Sequence, residues 1–337
     1  MQHHHLALLG FGNVGKALVR LLLIKEKELM ERYSISFSVT GIYSQRHGAA
    51  LDPGGIDLNR ALEVTNLNVL STQPLPRDGF DFIQRSQANV LFENSPVNYE
   101  TGQPAIDYLK TALELGMHGV TANKGPVVHA YHILTELARS QGKRFLFESS
   151  VMDGCPVFSL FRETLPAAKL VRFRGVLNST TNLILTRMEK GESFDQAVAY
   201  CQKIGIAETD PSGDIDGWDA SVKVAALVTV LMDTPYKPQQ VDRQGIRKIS
   251  PADVQQALQA GKRWKLVCSA EKRPEGIQTK VAPELIGVES PMFGVEGTTS
   301  IIRFETDVLG QLTVIEENPG PHTTAYGCLA DFINAVR

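Results

Sequence analysis

The sequence predicts an α/β fold: a doubly wound parallel sheet followed by a second domain of α+β type. Three observations predict it. The first 150 or so residues alternate short apolar runs with amphipathic stretches. A glycine-rich turn joins the first of those runs to the first amphipathic stretch. Beyond Val151 the texture changes, to clustered helices and then to successive strands. A length of 337 residues fits two cores better than one, because single cores stop growing near roughly 250–300 residues.

Leu6-Ala7-Leu8-Leu9 is wholly apolar, as a strand buried on both faces of a parallel sheet must be. A helix follows over Lys16–Tyr33, with Leu18, Leu21, Leu22 and Leu29 on one face, and Phe37–Tyr43 reads as the second strand. The interval Gly48–Asp81 is less periodic and yields only a helix near Asp57–Ala61. Strands are then expected over Asn89–Glu93, Gly119–Ala122 and Arg144–Glu148, with helices over Pro104–Leu115 and Ala130–Gln141 between them. The second domain opens with a helix over Val157–Leu165 and a strand over Lys169–Leu177. Helices follow over Thr181–Lys190, Phe194–Ile204 and Trp218–Met232, and Thr234–Pro251 reads as a connector. The β-rich remainder is Trp264–Ala270, Gly276–Val281, Ser300–Thr306 and Gln311–Glu316, closed by an amphipathic helix over Thr323–Val336. Residues 1–150, completed by 318–337, make the first predicted domain, and 151–317 the second.

Composition excludes several classes of protein. Lys and Arg number 34 against 37 Asp and Glu, a net charge of −3, so no basic excess meets nucleic acid or an anionic membrane surface. No run of about 18 apolar residues exists; the longest candidate, Val222–Met232, is short and interrupted by Lys223. The start, Met1-Gln2-His3-His4-His5-Leu6, lacks the pattern of a secretory signal, and its histidines suit either a tag remnant or a native strand. Cys155, Cys201, Cys268 and Cys328 are too far apart for a CxxC motif and read as free thiols of a cytoplasmic protein. His129 and His132 share a helix face, but spacing offers no third metal ligand.

Gly10-Phe11-Gly12-Asn13-Val14-Gly15 fits G-x-G-x-x-G between strand and helix. Gly10 permits the tight turn, Gly12 lets the backbone approach a pyrophosphate, and Gly15 lets helix and strand pack closely. The helix N-terminus then offers oriented N–H groups to the phosphates, which makes this domain Rossmann-type and dinucleotide-binding. NAD normally takes a carboxylate at the end of the second strand to bond the ribose 2′-hydroxyl. This chain has Ser44 and Arg46 there, which suit a 2′-phosphate, so NADP(H) is expected over NAD(H). Lys124 and the polar turn Glu93-Asn94-Ser95-Pro96 fall at the same carboxyl edge, where ligands sit in such sheets, and are expected on the nicotinamide side.

The densest chemistry lies in Ala207–Lys223, where Glu208, Asp210, Asp214, Asp216 and Asp219 precede a lysine. Asp219 and Lys223 are four apart on one helix face. Val222, Val224, Ala225, Ala226, Leu227 and Val228 make that helix apolar nearly all round, so Lys223 must face a charged cleft or a partner.

Taken in order, G-F-G-N-V-G, A-N-K-G-P-V, G-V-L-N-S-T-T-N-L-I-L and G-I-A-E-T-D-P-S-G-D-I-D-G-W-D-A-S-V-K resemble the homoserine dehydrogenase family over nearly the whole chain. The resemblance implies NAD(P)-dependent interconversion of L-homoserine and L-aspartate 4-semialdehyde, on the route to threonine and methionine. It implies a nucleotide-binding domain and a domain for substrate and dimerisation, in a homodimer or dimer of dimers. By the same resemblance Lys223 is the proton donor and acceptor, Glu208 binds the α-ammonium, and Asp219 binds the amino acid. Asp214 lies near the reacting hydroxyl, Lys124 touches nicotinamide and substrate, and Gly320 belongs to a C-terminal loop returning to the cofactor. A sodium ion is implied at Glu148 and the carbonyls of Val151, Asp153 and Cys155. Met152, Asp153 and Ser179 stand where the family has small residues or glycine. These departures motivate one rival, a dehydrogenase of the same fold acting on another small amino or hydroxy acid. A non-catalytic NADP-binding regulator is the rival of another class, and it would be expected to lose Lys223 or Asp219. A thiol-acylating aspartate-semialdehyde dehydrogenase is disfavoured, since no cysteine has an activating context. The chain resembles short family members without a C-terminal ACT-type domain, so allosteric threonine inhibition through such a domain is not expected.

Overall fold

The structure is a computed structural model describing residues 2–337; Met1, the first residue of the predicted first domain, lies outside the described residues. The chain divides into two compact units, one running to Phe158 and resuming at Gly320–Arg337, the other comprising Ser159–Pro319. Among the described residues no helix is long and apolar enough to cross a membrane.

In the first unit β1 (Gln2–Leu9) leads into α1 (Asn13–Tyr33), and β2 (Ile35–Ser44) lies parallel to β1. The histidines are strand residues, paired with Ser36, Phe37 and Ser38. His3 bonds the hydroxyls of Ser36 and Ser38 at 3.0 and 2.9 Å, while His4 faces the other way into the core. β3 (Gly48–Leu51) folds back antiparallel on β2. It has no alternation to betray it, since Gly48-Ala49-Ala50-Leu51 is small and apolar throughout. Then come α2 (Leu58–Glu63), capped by Asp57, α3 (Gly79–Arg85), β4 (Val90–Glu93) and α4 (Ala105–Glu114). β5 (His118–Thr121), α5 (Lys124–Ser140) and β6 (Phe145–Leu146) complete the sheet, in the order β3-β2-β1-β4-β5-β6. All strands but β3 run parallel. α5 begins six residues before the helix predicted from Ala130, because Ala130 is a kink (φ −141°) that interrupts the apolar period. β6 is shorter than predicted because Glu148–Ser150 turns into a 3₁₀ helix.

The helix expected over Val157–Leu165 is present over 158–164, π-helical at Leu160–Thr164, and ends where Leu165 takes a non-helical backbone before Pro166. β7 (Leu170–Val176) is followed by α6 (Ser179–Glu189), α7 (Phe194–Lys203), the short α8 (Ser212–Ile215) and α9 (Trp218–Leu231). The connector holds an unpredicted strand, β8 (Asp242–Arg243), then α10 (Pro251–Gln259). β9 (Lys262–Arg273) and β10 (Gly276–Gly287) form one long hairpin, and β11 (Ser300–Thr306) and β12 (Gly310–Glu316) another. The sheet order is β12-β11-β7-β9-β10-β8, antiparallel except for β8 along β10.

The chain then returns as α11 (Pro321–Val336), whose Ala325, Cys328, Leu329 and Phe332 join Leu8, Leu18, Leu22, Val90 and Phe92 in the first unit's core. Two glycines let α11 approach the 149–154 loop: a Cβ at Gly327 would stand 2.2 Å from Ser149 Oγ, and one at Gly154 2.3 Å from Thr323 O.

Candidate active site

The glycine turn of the first unit uses each of its three glycines differently. Gly10 has φ +107°, and a Cβ there would meet Asn94 O at 2.3 Å, so the β1 turn sits directly on the loop after β4. A Cβ at Gly15 would meet Gly10 O at 2.4 Å, which ties α1 to its own turn. At Gly12 nothing lies within 4 Å of the added Cβ. Gly12 is also the N-cap of α1, with no side-chain cap and no acidic residue in the first turn. Open space above uncapped helical N–H groups fits a pyrophosphate. Asn13 is exposed and Val14 half-buried, whereas the Phe11 side chain is in the core and leaves only backbone to a ligand.

The same sheet edge gathers the other predicted cofactor residues of this unit. Ser44 Oγ accepts from the backbone N–H groups of Arg46 and His47, each at 3.3 Å, and closes the β2–β3 turn with Arg46 exposed. Glu93, fully buried at the end of β4, accepts from Ser95 N at 2.9 Å, from the Ser95 hydroxyl and from Thr121 Oγ1 at 2.8 Å. Burial pushes its carboxyl above the usual range. Asn123 caps α5 through Gly125 N (2.9 Å), donates to Ser95 O (3.3 Å), and so fixes the backbone at Lys124, the first residue of the helix. Asn94 Nδ2 is buried without a hydrogen-bond partner, an unspent donor at this edge. Gly320 is the N-cap of α11, its N–H donating to Thr323 Oγ1 at 2.8 Å.

Thr323 and Thr324 account for Asp153. Thr323 donates to its Oδ2 and Thr324 to its Oδ1, each at 3.0 Å, so the Asp153 carboxylate clamps the start of α11. Glu148, 2% exposed, accepts at Oε1 from Val157 N (2.6 Å) and Phe158 N (2.7 Å). The Cys155 carbonyl accepts from Val157 N at 2.8 Å. Among the described residues no group of three or more His, Cys, Asp or Glu side chains is arranged to hold a metal ion. His129 instead bonds Tyr99 O at 3.0 Å.

In the second unit the carboxylates of Ala207–Lys223 sort themselves by partner. Asp210 caps Ser212 N (3.0 Å), and Asp216 takes both nitrogens of the Arg247 fork at 2.9 and 3.0 Å, which holds its carboxyl below the usual range. Both are structural. Asp214 and Asp219 converge on Lys223 instead. Lys223 Nζ donates to Leu177 O at 2.6 Å and stands 3.3 Å from Asp219 Oδ2, the two side chains being 14% and 12% exposed. Asn178 Nδ2 donates to Asp214 Oδ1 (2.7 Å) and to Asp219 Oδ2 (3.0 Å). Burial first, then the charge of Asp219, pushes the Asp214 carboxyl up; Asn178, Thr180 and Lys223 oppose the shift. Glu208 stands apart, exposed on the loop ahead of α8.

Sequence reasoning passed over Asn178, the Leu177 carbonyl and Lys265. An Asn at an N-cap with a hydroxyl residue three places on was the available signal for Asn178, since the cap occupies its oxygen and leaves its NH₂ for something else. Lys265, wholly buried on β9, donates to Asn182 Oδ1 (2.9 Å) and to Val295 O, and burial pushes its pKa down to about 8. Nothing in a strand that also carries Lys262, Arg263, Glu271, Lys272 and Arg273 announced it.

The family model described as "Homoserine dehydrogenase, NAD binding domain" matches residues 10–148, and that described as "Homoserine dehydrogenase" matches residues 156–333. A homoserine dehydrogenase of Methanocaldococcus jannaschii is 35% identical, over 97% of this chain and 97% of its own. An NAD(+)-dependent homoserine dehydrogenase of Pseudomonas canavaninivorans is 32% identical, over 99% of this chain and 96% of its own. Among solved structures, a putative homoserine dehydrogenase from Archaeoglobus fulgidus superimposes with a TM-score of 0.87 at 28% identity, covering 98% of each chain. A hyperthermophilic archaeal homoserine dehydrogenase in complex with NADPH does so at 0.83, also at 28% identity, covering 99% of this chain and 98% of its own.

Proposed function

The chain belongs to the homoserine dehydrogenase family, and on that premise we propose that it interconverts L-homoserine and L-aspartate 4-semialdehyde, on the route to threonine and methionine. It is an NAD(P)-dependent oxidoreductase acting on a CH–OH group. The observation that carries the reading of the site is the cluster at the start of α9: a lysine held between a backbone carbonyl and a carboxylate, with a second carboxylate bridged to the first.

Lys223 takes the hydroxyl proton of homoserine and returns it to the aldehyde oxygen in the reverse direction. Leu177 O and Asp219 orient its amine while it does so. When bound, the nicotinamide supplies the hydride chemistry at the carbinol carbon. Asp214 stands by the reacting hydroxyl, and the exposed Glu208 receives the substrate's α-ammonium. The first unit holds the dinucleotide, with its pyrophosphate over Gly12 and the N-terminus of α1, and Asn94, Ser95, Lys124 and Gly320 serve it from neighbouring loops. The second unit holds the amino acid and supplies the contact of a homodimer; Leu285, Val288 and Ile315 are 45%, 72% and 51% exposed there and give that contact apolar area.

NADP(H) is the preferred cofactor on this reading, with the 2′-phosphate met by Ser44 and Arg46. A monovalent cation would sit in the Glu148–Cys155 loop, held by Glu148 and the carbonyls of Val151, Asp153 and Cys155, the hard-oxygen set such an ion takes. The Asp153 carboxylate, engaged by two threonines, would lend only its carbonyl. Four free cysteines suit a cytoplasmic location.

The test is NAD(P)H formation on L-homoserine against a panel of other small amino and hydroxy acids. Homoserine should lead the panel in kcat/KM by at least about 10²-fold, the discrimination a polar site exerts on analogues that leave its groups unpaired. Equal turnover of another alcohol would overturn the substrate assignment.

A further inference from the structure

Asn178 is the residue through which the parts of the α9 cluster meet, and the roles assigned above leave it without one. Both ends of its carboxamide are spoken for. Oδ1 caps α6, accepting from Thr181 N and from Thr181 Oγ1, each at 2.8 Å. With the oxygen so fixed, the NH₂ has one direction, and it donates to Asp214 Oδ1 at 2.7 Å and Asp219 Oδ2 at 3.0 Å. Asn178 is itself only 4% exposed, so the contacts are sheltered from water. The carbonyl just before it, Leu177 O, accepts from Lys223 Nζ at 2.6 Å. One dipeptide at the β7–α6 junction therefore touches both carboxylates and the lysine, from 36, 41 and 46 residues away.

Two carboxylates sharing a partly buried space repel, and each favours protonation of the other. A single NH₂ donating to both offsets that repulsion. We propose that Asn178 is a positioning residue, whose amide holds the Asp214 and Asp219 carboxylates together beside Lys223 so that Asp219 stays available to orient the lysine. The proposal rests on the assignment of Lys223 as the proton carrier. Without the bridge, Asp214 keeps its proton to higher pH and, once protonated, donates to Asp219, drawing Asp219 away from Lys223. The other groups facing this cluster are a hydroxyl, two thiols and a paired arginine. Thr180, beside Asn178, also donates to Asp214. Cys201 on α7 and Cys268 on β9 are thiols that burial pushes up to about 11 and about 12, so they stay neutral. Arg187, the cation nearest Cys201 on α6, is committed to Glu192.

The experiment compares Asn178→Ser and Asn178→Asp with wild type. Both replacements can cap α6, and neither brings an NH₂ to the carboxylates. NADPH affinity by fluorescence titration should stay near wild type in both, and the melting temperature near wild type in the Ser variant; the Asp variant, with a third buried carboxylate, should melt lower. kcat for L-homoserine should fall roughly 10–100-fold, the scale of charge-assisted hydrogen bonds lost at a reacting centre. The acidic limb of the kcat–pH profile should move to higher pH, further for the Asp variant, which adds a third carboxylate. If the Ser variant does not fold, the Asp variant, nearly isosteric with Asn, still reports. Wild-type kcat and an unmoved profile in the variants would overturn the proposal, as would a loss of kcat with the profile unmoved, the mark of a helix cap alone. A Lys223→Ala control separates the two ideas: if that variant keeps its kcat, the assignment of the lysine falls and this proposal with it.

Discussion

At the first unit's site the residues that matter are glycines, and each matters for the space it leaves: Gly10 against Asn94 O, Gly15 against Gly10 O, Gly12 against nothing within 4 Å. At the second unit's site they are a lysine, two carboxylates and an amide, and each matters for the partner it holds. The contrast follows from the tasks proposed for them. A dinucleotide's phosphates are met by many weak backbone dipoles, which need only an open approach. A proton moved in the reaction needs one amine in one place, and in a helix as buried as α9 that amine must be matched by charge.

The largest expected effect breaks the second site and spares the first. Lys223→Ala should lower kcat by about 10³-fold or more, within the range general acid–base groups command, while NAD(P)H still binds; steady-state kinetics beside a fluorescence titration decide it, and a near-normal kcat would refute the role. Next comes a pair inside the first site. Gly12→Ala should leave the melting temperature unchanged, because its Cβ meets nothing, yet raise the KM for cofactor about tenfold or more by filling the approach to the phosphates. Gly10→Ala should instead destabilise the fold by about 1–3 kcal/mol through its positive φ, and more if Asn94 cannot move. Equal behaviour of the two variants in thermal melts would dissolve the distinction drawn between them. Third, Arg46→Ala should cost NADPH about tenfold in kcat/KM and NADH little, the size of one charge-assisted contact; a loss shared equally by both cofactors would remove Arg46 from 2′-phosphate recognition.

The smallest effects concern titration, where the two units share a sign, stability rising with pH, and differ in the window. His118 in the first unit is pushed down to about 4, mainly by burial, from 6.5. Between those values the unfolded chain binds the extra proton, so His118 makes stability fall as pH drops through that window. Lys265 in the second unit is pushed down to about 8 from 10.5. There the unfolded chain binds more protons between about 8 and 10.5, so stability should rise with pH across that range, the penalty being full below it. Urea denaturation at pH 8 and pH 10 measures it, with Lys265→Met as reference: the wild type should gain on the variant by an amount on the order of 1–3 kcal/mol. A difference that does not change with pH would mean that the buried amine is not strained by its surroundings.

The same contrast governs how much was legible in the chain. G-x-G-x-x-G is a local signal because its three glycines serve one turn, and a turn is closed within six residues. Asp219 and Lys223 were legible for a similar reason, being one helical turn apart on a helix whose apolarity made the lysine conspicuous. Asp210 and Asp216 looked equivalent to Asp214 in sequence, and only Ser212 N and Arg247 show that they serve the backbone and the fold. Phe11, inside the motif, turned out to belong to the core. Asp153 stood in the chain only as an implied carbonyl ligand, whereas its two carboxylate oxygens meet Thr323 and Thr324, some 170 residues onward.

By itself the sequence determined the parallel order of the first sheet's helices and strands, the dinucleotide turn, the family, and the helix that carries Lys223. Periodicity and short-range spacing encode such features, since each depends on residues within a turn or two of one another. Tertiary structure alone decided which carboxylates flank the lysine, that Asn178 bridges them, that Lys265 is buried, and that Asp153 clamps α11. Those are outcomes of packing between segments far apart in the chain, where a hydrogen bond is set by where two backbones come to rest and not by the residues that surround either partner in sequence.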